Sequence, residues 1–176
     1  ATGSTARATA IQSDGKIVVT GYSRIGAVDD FATIRLNADG TLDPTFGGGG
    51  IVLTNIAATA QSDQANAMVI QPDGKIVVAG RHVSATTSSD FAVVRYLTDG
   101  SLDTTFSGDG SVITAITGSP DIPFAMALQP DGKFVVAGHA TGATNRDFAV
   151  LRYNPDGTLD TSFSGDGMAI NDFSAE

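Results

Sequence analysis

Cysteine and tryptophan are absent from this chain of 176 residues, and glutamate occurs once, as Glu176. Without cysteine the chain can form no disulfide, no thiol nucleophile and no Cys-ligated metal site. All other acidic residues are aspartate, which favours turns, whereas the helix-favouring glutamate is nearly missing, so we expect no long helix. No apolar run approaches the length that crosses a bilayer, so we expect no membrane span.

The charge balance is acidic, with a formal net charge of −9. Such a chain repels phosphate backbones, so nucleic acid is not an expected partner. Hydrophobic residues make up 41% of the chain and charged residues 16%, which is enough apolar material to bury a core. Abundant glycine between short Val/Ile runs is typical of strands joined by tight turns.

One unit of about 58 residues occurs three times in tandem. The segment Ile-Gln-Ser-Asp-Gly-Lys-Ile-Val-Val-Thr-Gly at 11–21 returns with few changes at 70–80 and at 128–138. An Asp-Phe-Ala block and a Leu-Asp-x-x-Phe block follow in each copy; they begin at Asp30, Asp90 and Asp147 and end at Phe46, Phe106 and Phe163. We therefore expect three units in one structural domain, at 1–59, 60–117 and 118–176.

The apolar runs and turn residues of each unit predict four strands, which in the first copy lie at about 6–12, 16–22, 31–36 and 51–54. The second and third strands are nearly continuous apolar runs, as in strands that are buried on both faces. A four-stranded sheet with two apolar faces must be sandwiched between copies of itself, which is how the blades of a β-propeller pack. The sequence thus predicts an all-β propeller with three blades per chain. A closed three-fold β-trefoil or β-prism is the alternative.

The three blocks resemble the bacterial delta-60 repeat family. The resemblance rests on Gln-Pro-Asp-Gly-Lys-Ile-Val-Val-Ala-Gly at 71–80, Asp-Phe-Ala-Val-Val-Arg-Tyr at 90–96 and Asp-Gly-Ser-Leu-Asp-Thr-Thr-Phe at 99–106. It implies a β-propeller module of large secreted or surface proteins, and it implies no catalytic residues. It places the chain outside the cell or on the cell surface of a bacterium.

Three blades are too few to close a ring, because propellers typically contain four to eight. An open arc would expose two apolar blade faces. We therefore expect a homodimer that forms a six-bladed ring; a piece of a longer array is the other interpretation.

The aspartate-rich loops raise the question of calcium. From Asp99 the spacing fails the EF-hand pattern, because Thr104 and Gly110 stand where glycine and glutamate are needed. A looser calcium site remains possible at Asp103 with Asp109, or at Asp160 with Asp166. The alternative is that Asp103, Asp160 and the equivalent Asp43 cap local turns.

A repeated arginine follows each Asp-Phe-Ala block, at Arg35, Arg95 and Arg152. In a buried strand it needs an acceptor, either the loop carboxylate of Asp43, Asp103 and Asp160 or a backbone carbonyl between blades. Lysine follows each Asp-Gly turn, at Lys16, Lys75 and Lys133, and we expect these lysines to be solvated hairpin ends.

Variable segments lie between the second and third strands, at 23–29, 82–89 and 140–146. They share one face of the ring with the connections between blades, at 55–63 and 115–121. Binding tends to be carried by loops on a rigid scaffold. The candidate binding residues on this variable face are Tyr22, Arg24, Arg81, His82, His139, Asn145 and Arg146.

No grouping of serine, histidine and aspartate or of metal-binding histidines is found in the sequence, so we expect no enzyme and no cofactor beyond calcium. The sequence favours a non-enzymatic module for assembly, adhesion or protein binding. A carbohydrate-binding or calcium-assisted lectin-like module is the alternative, and the partner is then a glycan instead of a protein.

Overall fold

The chain folds into three separate four-stranded antiparallel sheets, one for each repeat. The computed structural model describes residues 3–58, 61–84, 88–142 and 145–172. Blade 1 contains β1 (Ser4–Ile11), β2 (Ile17–Ile25), β3 (Val28–Leu36) and β4 (Ile51–Thr54). Blade 2 contains β5 (Asp63–Ile70), β6 (Ile76–Ser84), β7 (Ser88–Tyr96) and β8 (Ser111–Thr114). Blade 3 contains β9 (Ile122–Leu128), β10 (Phe134–Thr141), β11 (Arg146–Tyr153) and β12 (Met168–Asn171).

Within each sheet the strands lie side by side in chain order. The first two are joined by the repeated Asp-Gly turn. In blade 1, Gly15 has a φ of 83°, a conformation that glycine adopts without a Cβ clash. The backbone N–H of Lys16 donates to Asp14 Oδ1 at 3.1 Å, which closes the turn.

The blades stack face to face, and blade 2 is buried on both sides. The face that each blade turns toward the preceding one is called here its N-side face, and the opposite one its C-side face. The N-side face of blade 2 joins the core shared with blade 1 through Ile76, Val78, Ala92, Val94 and Tyr96. Its C-side face joins the core shared with blade 3 through Val77, Ala79, Phe91 and Val93. The nearly continuous apolar runs of the sequence thus reflect two buried faces, as predicted.

This arrangement is that of stacked propeller blades, and the arc of three is not a closed ring. A closed β-trefoil or β-prism does not fit it. In the part of the chain that the structure describes, each named strand pairs through its backbone ladder only with strands of its own four-stranded sheet.

The variable segments between the second and third strands differ from the prediction. In blade 1 the segment 23–29 is mostly strand, since β2 continues to Ile25 and β3 already begins at Val28. The strands also extend into 82–89 and 140–146. The sequence does not indicate these strand extensions, because they are polar and lack the Val/Ile runs that mark the buried parts of the strands.

Each innermost strand carries a β-bulge opposite a repeated glycine. The register shifts between Ala6 and Ala8 in β1 and between Ala65 and Ala67 in β5, and β9 shows the same shift opposite Gly138. A Cβ on Gly80 would lie 2.2 Å from the backbone oxygen of Gln64, so only glycine fits there. Among the described residues, no helix is long and apolar enough to span a membrane.

Candidate functional site

The junction between consecutive blades is built around the repeated arginine. Arg35 donates from Nε to Asp43 Oδ2 at 2.7 Å and from Nη2 to Thr45 Oγ1 at 3.0 Å. Its Nη1 donates across the junction to the backbone oxygen of Thr98 in blade 2. Its guanidinium also lies 4.7 Å from the ring centroid of Phe46, within cation–π range.

The second junction repeats this arrangement. Arg95 donates to Asp103 at 2.8 Å, to Thr105 at 3.2 Å, and from Nη1 to the backbone oxygen of Pro155 in blade 3. Both predicted acceptors of the repeated arginine, the loop carboxylate and a carbonyl between blades, are therefore used at once. The arginine ties its own Leu-Asp-x-x-Phe loop to the next blade.

The lysines after the Asp-Gly turns belong to the same clusters, so their description as solvated hairpin ends was wrong. Lys16 Nζ lies 2.8 Å from Asp43 Oδ2, and Lys133 Nζ lies 2.8 Å from Asp160 Oδ2. The aliphatic stem of lysine lets the ammonium reach from the turn to this carboxylate. No local sequence pattern indicates this contact, because 27 residues separate the two partners.

These contacts lower the pKa of each loop carboxylate. Hydrogen bonds from Lys16 and Thr45 hold the pKa of Asp43 well below its usual range, and Lys133 and Ser162 do the same for Asp160. At Asp103 burial alone would raise the pKa, but hydrogen bonds from Thr105 and Lys75 and the charge of Arg95 outweigh it and lower the pKa to about 2. All three carboxylates are therefore ionised at neutral pH.

Two further contacts cross each junction. The backbone N–H of Gly47 donates to the oxygen of Asp99 at 2.8 Å, and that of Ser107 donates to the oxygen of Asp156 at 2.8 Å. Deeper in the interface, the hydroxyls of Tyr96 and Thr54 lie 2.6 Å apart and share a hydrogen bond. Tyr153 donates to Thr114 at 2.8 Å in the second junction.

Blade 3 presents the first half of such a junction, and among the described residues no further blade packs on it. Phe148 is 63% exposed, whereas the equivalent Phe31 and Phe91 are fully buried. The Arg152 side chain is 22% exposed, against 6% for Arg35. Arg152 nevertheless keeps the local arrangement, with Asp160 at 2.7 Å, Ser162 at 3.2 Å and the Phe163 ring centroid at 4.8 Å.

Blade 1 presents the second half. Its N-side face consists of Ile17, Val19, Ala32, Ile34 and Leu36, which are half-buried, while all of their equivalents in blades 2 and 3 are buried. Gly40 has open space above it. The equivalent Gly100 is covered by the ring of Phe46, which a Cβ would approach to 3.0 Å. Leu36 stands at the position of Tyr96 and Tyr153. A blade docked here would therefore bury no tyrosine hydroxyl without a hydrogen-bond partner.

The two ends of the arc are therefore complementary surfaces. One offers an apolar face, an arginine and an exposed phenylalanine, and the other offers an apolar face and the turn at 38–40 that receives such groups at the internal junctions. What this arrangement can do chemically is bind another blade.

A family model described as "Domain of unknown function (DUF5122) beta-propeller" matches residues 12–46, 71–106 and 129–163. The chain belongs to this β-propeller family. Each matched segment runs from the Asp-Gly turn to the phenylalanine that closes the arginine cluster. The match confirms the β-propeller repeat predicted from the sequence, and the delta-60 assignment stays a resemblance. No curated protein matches the chain.

In this DUF5122 chain, three of the predicted binding residues occupy one equivalent position. Tyr22, Arg81 and His139 each follow the repeated glycine of the second strand. Tyr22 lies under the guanidinium of Arg7, Arg81 donates to Gln64 at 2.9 Å, and the His139 ring lies 5.4 Å from that of Phe124. Burial and the charge of Arg146 lower the pKa of His139, which favours the neutral ring.

Of the other predicted binding residues, Arg24 lines a surface pocket together with Tyr22, and the charge of Arg146 acts on His139. Arg24 is exposed and pairs with Asp29 at 3.0 Å, and Asn145 donates to Asp172 at 2.9 Å. Arg146 is exposed on β11. His82 is buried and lies 2.6 Å from Asp63, so it faces the interior.

Asp63 and Asp121 were missed by the sequence reasoning. Asp63, which begins strand β5, is buried beside His82 and accepts the backbone N–H of Ile56 at 2.8 Å. Asp121 accepts the backbone N–H groups of Ile116 and Thr117. Both carboxylates fix the connection between two blades. The partners of Asp63 lie in another strand or loop, which no local pattern shows.

The predicted calcium residues have local hydrogen-bond partners. Oδ1 of Asp103 accepts from Thr105, and that of Asp160 accepts from Ser162, while both Oδ2 atoms face the arginine and lysine. Asp109 and Asp166 accept backbone N–H groups two residues ahead. No cluster of three or more potential ligands is found in the described part of the chain, and calcium binding stays a prediction.

Proposed function

We propose that this chain is a non-enzymatic propeller module that assembles with a second copy of itself. In the assembly, the C-side face of blade 3 docks on the N-side face of blade 1 of the partner, and the reverse junction forms on the other side. Two arcs then give six blades, within the range of four to eight that closes a ring. A two-fold dimer of this kind uses the same pair of surfaces twice.

The observation that carries the proposal is the half-junction of blade 3, which keeps its geometry while Phe148 and Arg152 are more exposed than their equivalents. Arg152, Asp160 and Phe163 keep the geometry that Arg35 and Arg95 use to grip the next blade. Large exposed apolar faces mark interaction sites on soluble proteins. Because the chain itself shows twice what covers such a face, a blade of the same sequence is the occupant that best matches it.

The internal junctions specify the contacts of the proposed one. Arg152 would donate from Nη1 to the backbone oxygen of the partner's Ala38, the position of Thr98 and Pro155. The backbone N–H of Ser164 would donate to the oxygen of the partner's Asp39, as Gly47 does to Asp99. Phe163 would cover the partner's Gly40.

Light scattering after size exclusion tests the proposal through the Phe148→Asp variant. We expect the unchanged chain to show twice the mass of 17.9 kDa and Phe148→Asp to show a single chain. A buried carboxylate without a partner is too costly for the junction to form, whereas the exposed position lets the single chain fold.

Ile113→Asp is the matched control, because Ile113 is an exposed apolar residue on the outermost strand of the middle blade. It should leave the mass unchanged. A single-chain mass for the unchanged protein would contradict the proposal, and so would an equal loss of mass in both variants.

The wider role proposed here is assembly, adhesion or protein binding in an extracellular bacterial protein. We infer no enzymatic activity because the clustered aspartates already make structural contacts. The loop aspartates hold the blade junctions, and two others hold the connections between blades; they are Asp43, Asp103 and Asp160, and Asp63 and Asp121. The location outside the cell rests on the delta-60 resemblance.

A further inference from the structure

The three bulged residues of the innermost strands meet in one cleft. Strand β5 packs against β1 on one side and against β9 on the other, and the three strands line the inner side of the arc. The residues left out of register are Arg7, Asn66 and Phe124, one from each blade. Bulges re-aim side chains, and here they direct three different ones to one place. The inner cleft encloses about 390 Å³ and is lined by Arg7, Gln64, Asn66, Arg81, Ile122 and Phe124.

The inner cleft is cationic in an acidic protein. In the part of the chain that the structure describes, neither Arg7 nor Arg81 has a carboxylate within 4 Å, although the net charge is −9. By contrast, Arg35, Arg95 and Arg152 are all paired. Two neighbouring guanidinium groups without counter-ions favour an anionic ligand, and the planar fork of arginine suits a carboxylate.

Arg81 also has a hydrogen-bond donor that lacks an acceptor among the described residues. One of its terminal nitrogens donates to Gln64 at 2.9 Å, but its buried Nε finds no acceptor. A buried donor without a partner is costly, so such groups are rare and call for an explanation. A carboxylate in the inner cleft would give the Arg81 guanidinium a counter-ion, which no described carboxylate supplies within 4 Å.

An apolar platform stands beside the cations. Phe124 is 57% exposed, and its ring is held by His139 at 5.4 Å between centroids. The side-chain amides of Gln64 and Asn66 lie on the same walls, and each carries both a donor and an acceptor. An exposed aromatic face recognises a sugar ring, side-chain amides recognise its hydroxyls, and two neighbouring arginines recognise its carboxylate.

We propose that the inner cleft binds an acidic sugar, a hexuronate residue of a glycan, with the carboxylate on Arg7 and Arg81 and the ring against Phe124. All lining residues come from one chain, so the site does not depend on dimer formation. A glycan site of this kind goes beyond self-assembly, because it gives the module a ligand.

Calorimetric titration with trigalacturonate at low salt tests the site. We expect binding by the unchanged chain, and affinity at least about tenfold lower for Arg81→Gln and for Arg7→Gln, the effect of losing a charge-assisted contact. Lys75→Gln is the matched control: it removes one positive charge from a residue of the Asp103 cluster that does not line the cleft, and it should change the affinity little. Circular dichroism should show that all variants stay folded.

Neutral galactotriose and a short peptide with a free C-terminal carboxylate complete the design. We expect neither to bind measurably. No binding of trigalacturonate would overturn the proposal. Equal binding of galactotriose, or unchanged binding by Arg81→Gln, would overturn the role of the arginines, and binding of the peptide alone would overturn the sugar assignment.

Discussion

The Arg95 cluster shows how one residue type holds the repeat together. A buried guanidinium is stable only where its donors meet acceptors, and Arg95 meets three: a carboxylate, a hydroxyl and the carbonyl of the next blade. The acceptors come from its own repeat and from the following one. One arginine therefore serves both the blade and the stack, which explains why it recurs at Arg35 and Arg152.

Neutralising Asp103 should destabilise the chain in a pH-dependent way. Asp103→Asn leaves Arg95 buried without its counter-ion, so we expect the free energy of unfolding at pH 7 to fall by roughly 3 kcal/mol. The folded pKa of Asp103, about 2, lies below the ordinary value, so its contribution is complete above about pH 4. It is lost as the pH falls from about 4 to about 2, and the difference between the two proteins should narrow over that range.

Urea unfolding followed by circular dichroism from pH 7 down to pH 2 measures this. Asp109→Asn is the control, because Asp109 caps an exposed turn and asparagine can replace it as a cap. We expect its effect to stay within about 0.5 kcal/mol. A stability gap for Asp103→Asn that persists unchanged to pH 2 would argue against the ionised carboxylate as the stabilising group.

At the scale of the element, the sequence predicted the blades better than their connections. The Asp-Gly turns and the apolar runs of β6 and β7 each carry a local physical signal, a left-handed glycine or a strand buried on two faces. The polar ends of the hairpins carry none. Their strand form depends on pairing, as between Arg24 and Asp29, which only the folded sheet provides.

The residues of the inner cleft, too, were predictable only where the sequence carries a local signal. Arg81 was identified because it directly precedes a segment that differs between repeats. Arg7, Asn66 and Phe124 were not, because a bulge is set by the register between two strands and leaves no pattern in either one. The isolated Arg7 in an alanine-rich strand was a usable sign that the sequence reasoning passed over.

The hydroxyl contact between Tyr96 and Thr54 gives a test of blade stacking. Tyr96→Phe removes that hydrogen bond while keeping the ring, so we expect a loss of about 1 kcal/mol in the free energy of unfolding. Tyr22→Phe, which changes a hydroxyl outside the blade junctions, should cost less. Equal effects of the two changes in urea unfolding would contradict a role for the tyrosine in stacking.

The same tyrosine predicts the behaviour at alkaline pH. Burial raises the pKa of Tyr96 to about 12, above its value in an unfolded chain. A group with a raised folded pKa stabilises fully below the unfolded value, so stability should decline as the pH rises from about 10 to about 12. Tyr96→Phe should weaken this decline, and Tyr22→Phe should not.

At the scale of the whole molecule, the proposed assembly follows from the repeat itself. A stack of identical blades buries each face against its neighbour, and only the two end faces are left over. Here the end faces belong to blades 1 and 3 and carry the two halves of the internal junction. In the proposed dimer a second copy covers both faces at once, with the contacts that the chain already uses at its internal junctions.

Cross-linking between two single-cysteine variants tests the proposed ring closure most directly, because the natural chain has no cysteine. Asp39→Cys and Ser164→Cys stand at the positions whose equivalents are hydrogen-bonded across the internal junctions. On mild oxidation of a mixture, we predict a disulfide-linked dimer of one Asp39→Cys chain and one Ser164→Cys chain, reversible by reductant. Cross-links that form as readily within either variant alone, or none in the mixture, would contradict closure between blade 3 and blade 1.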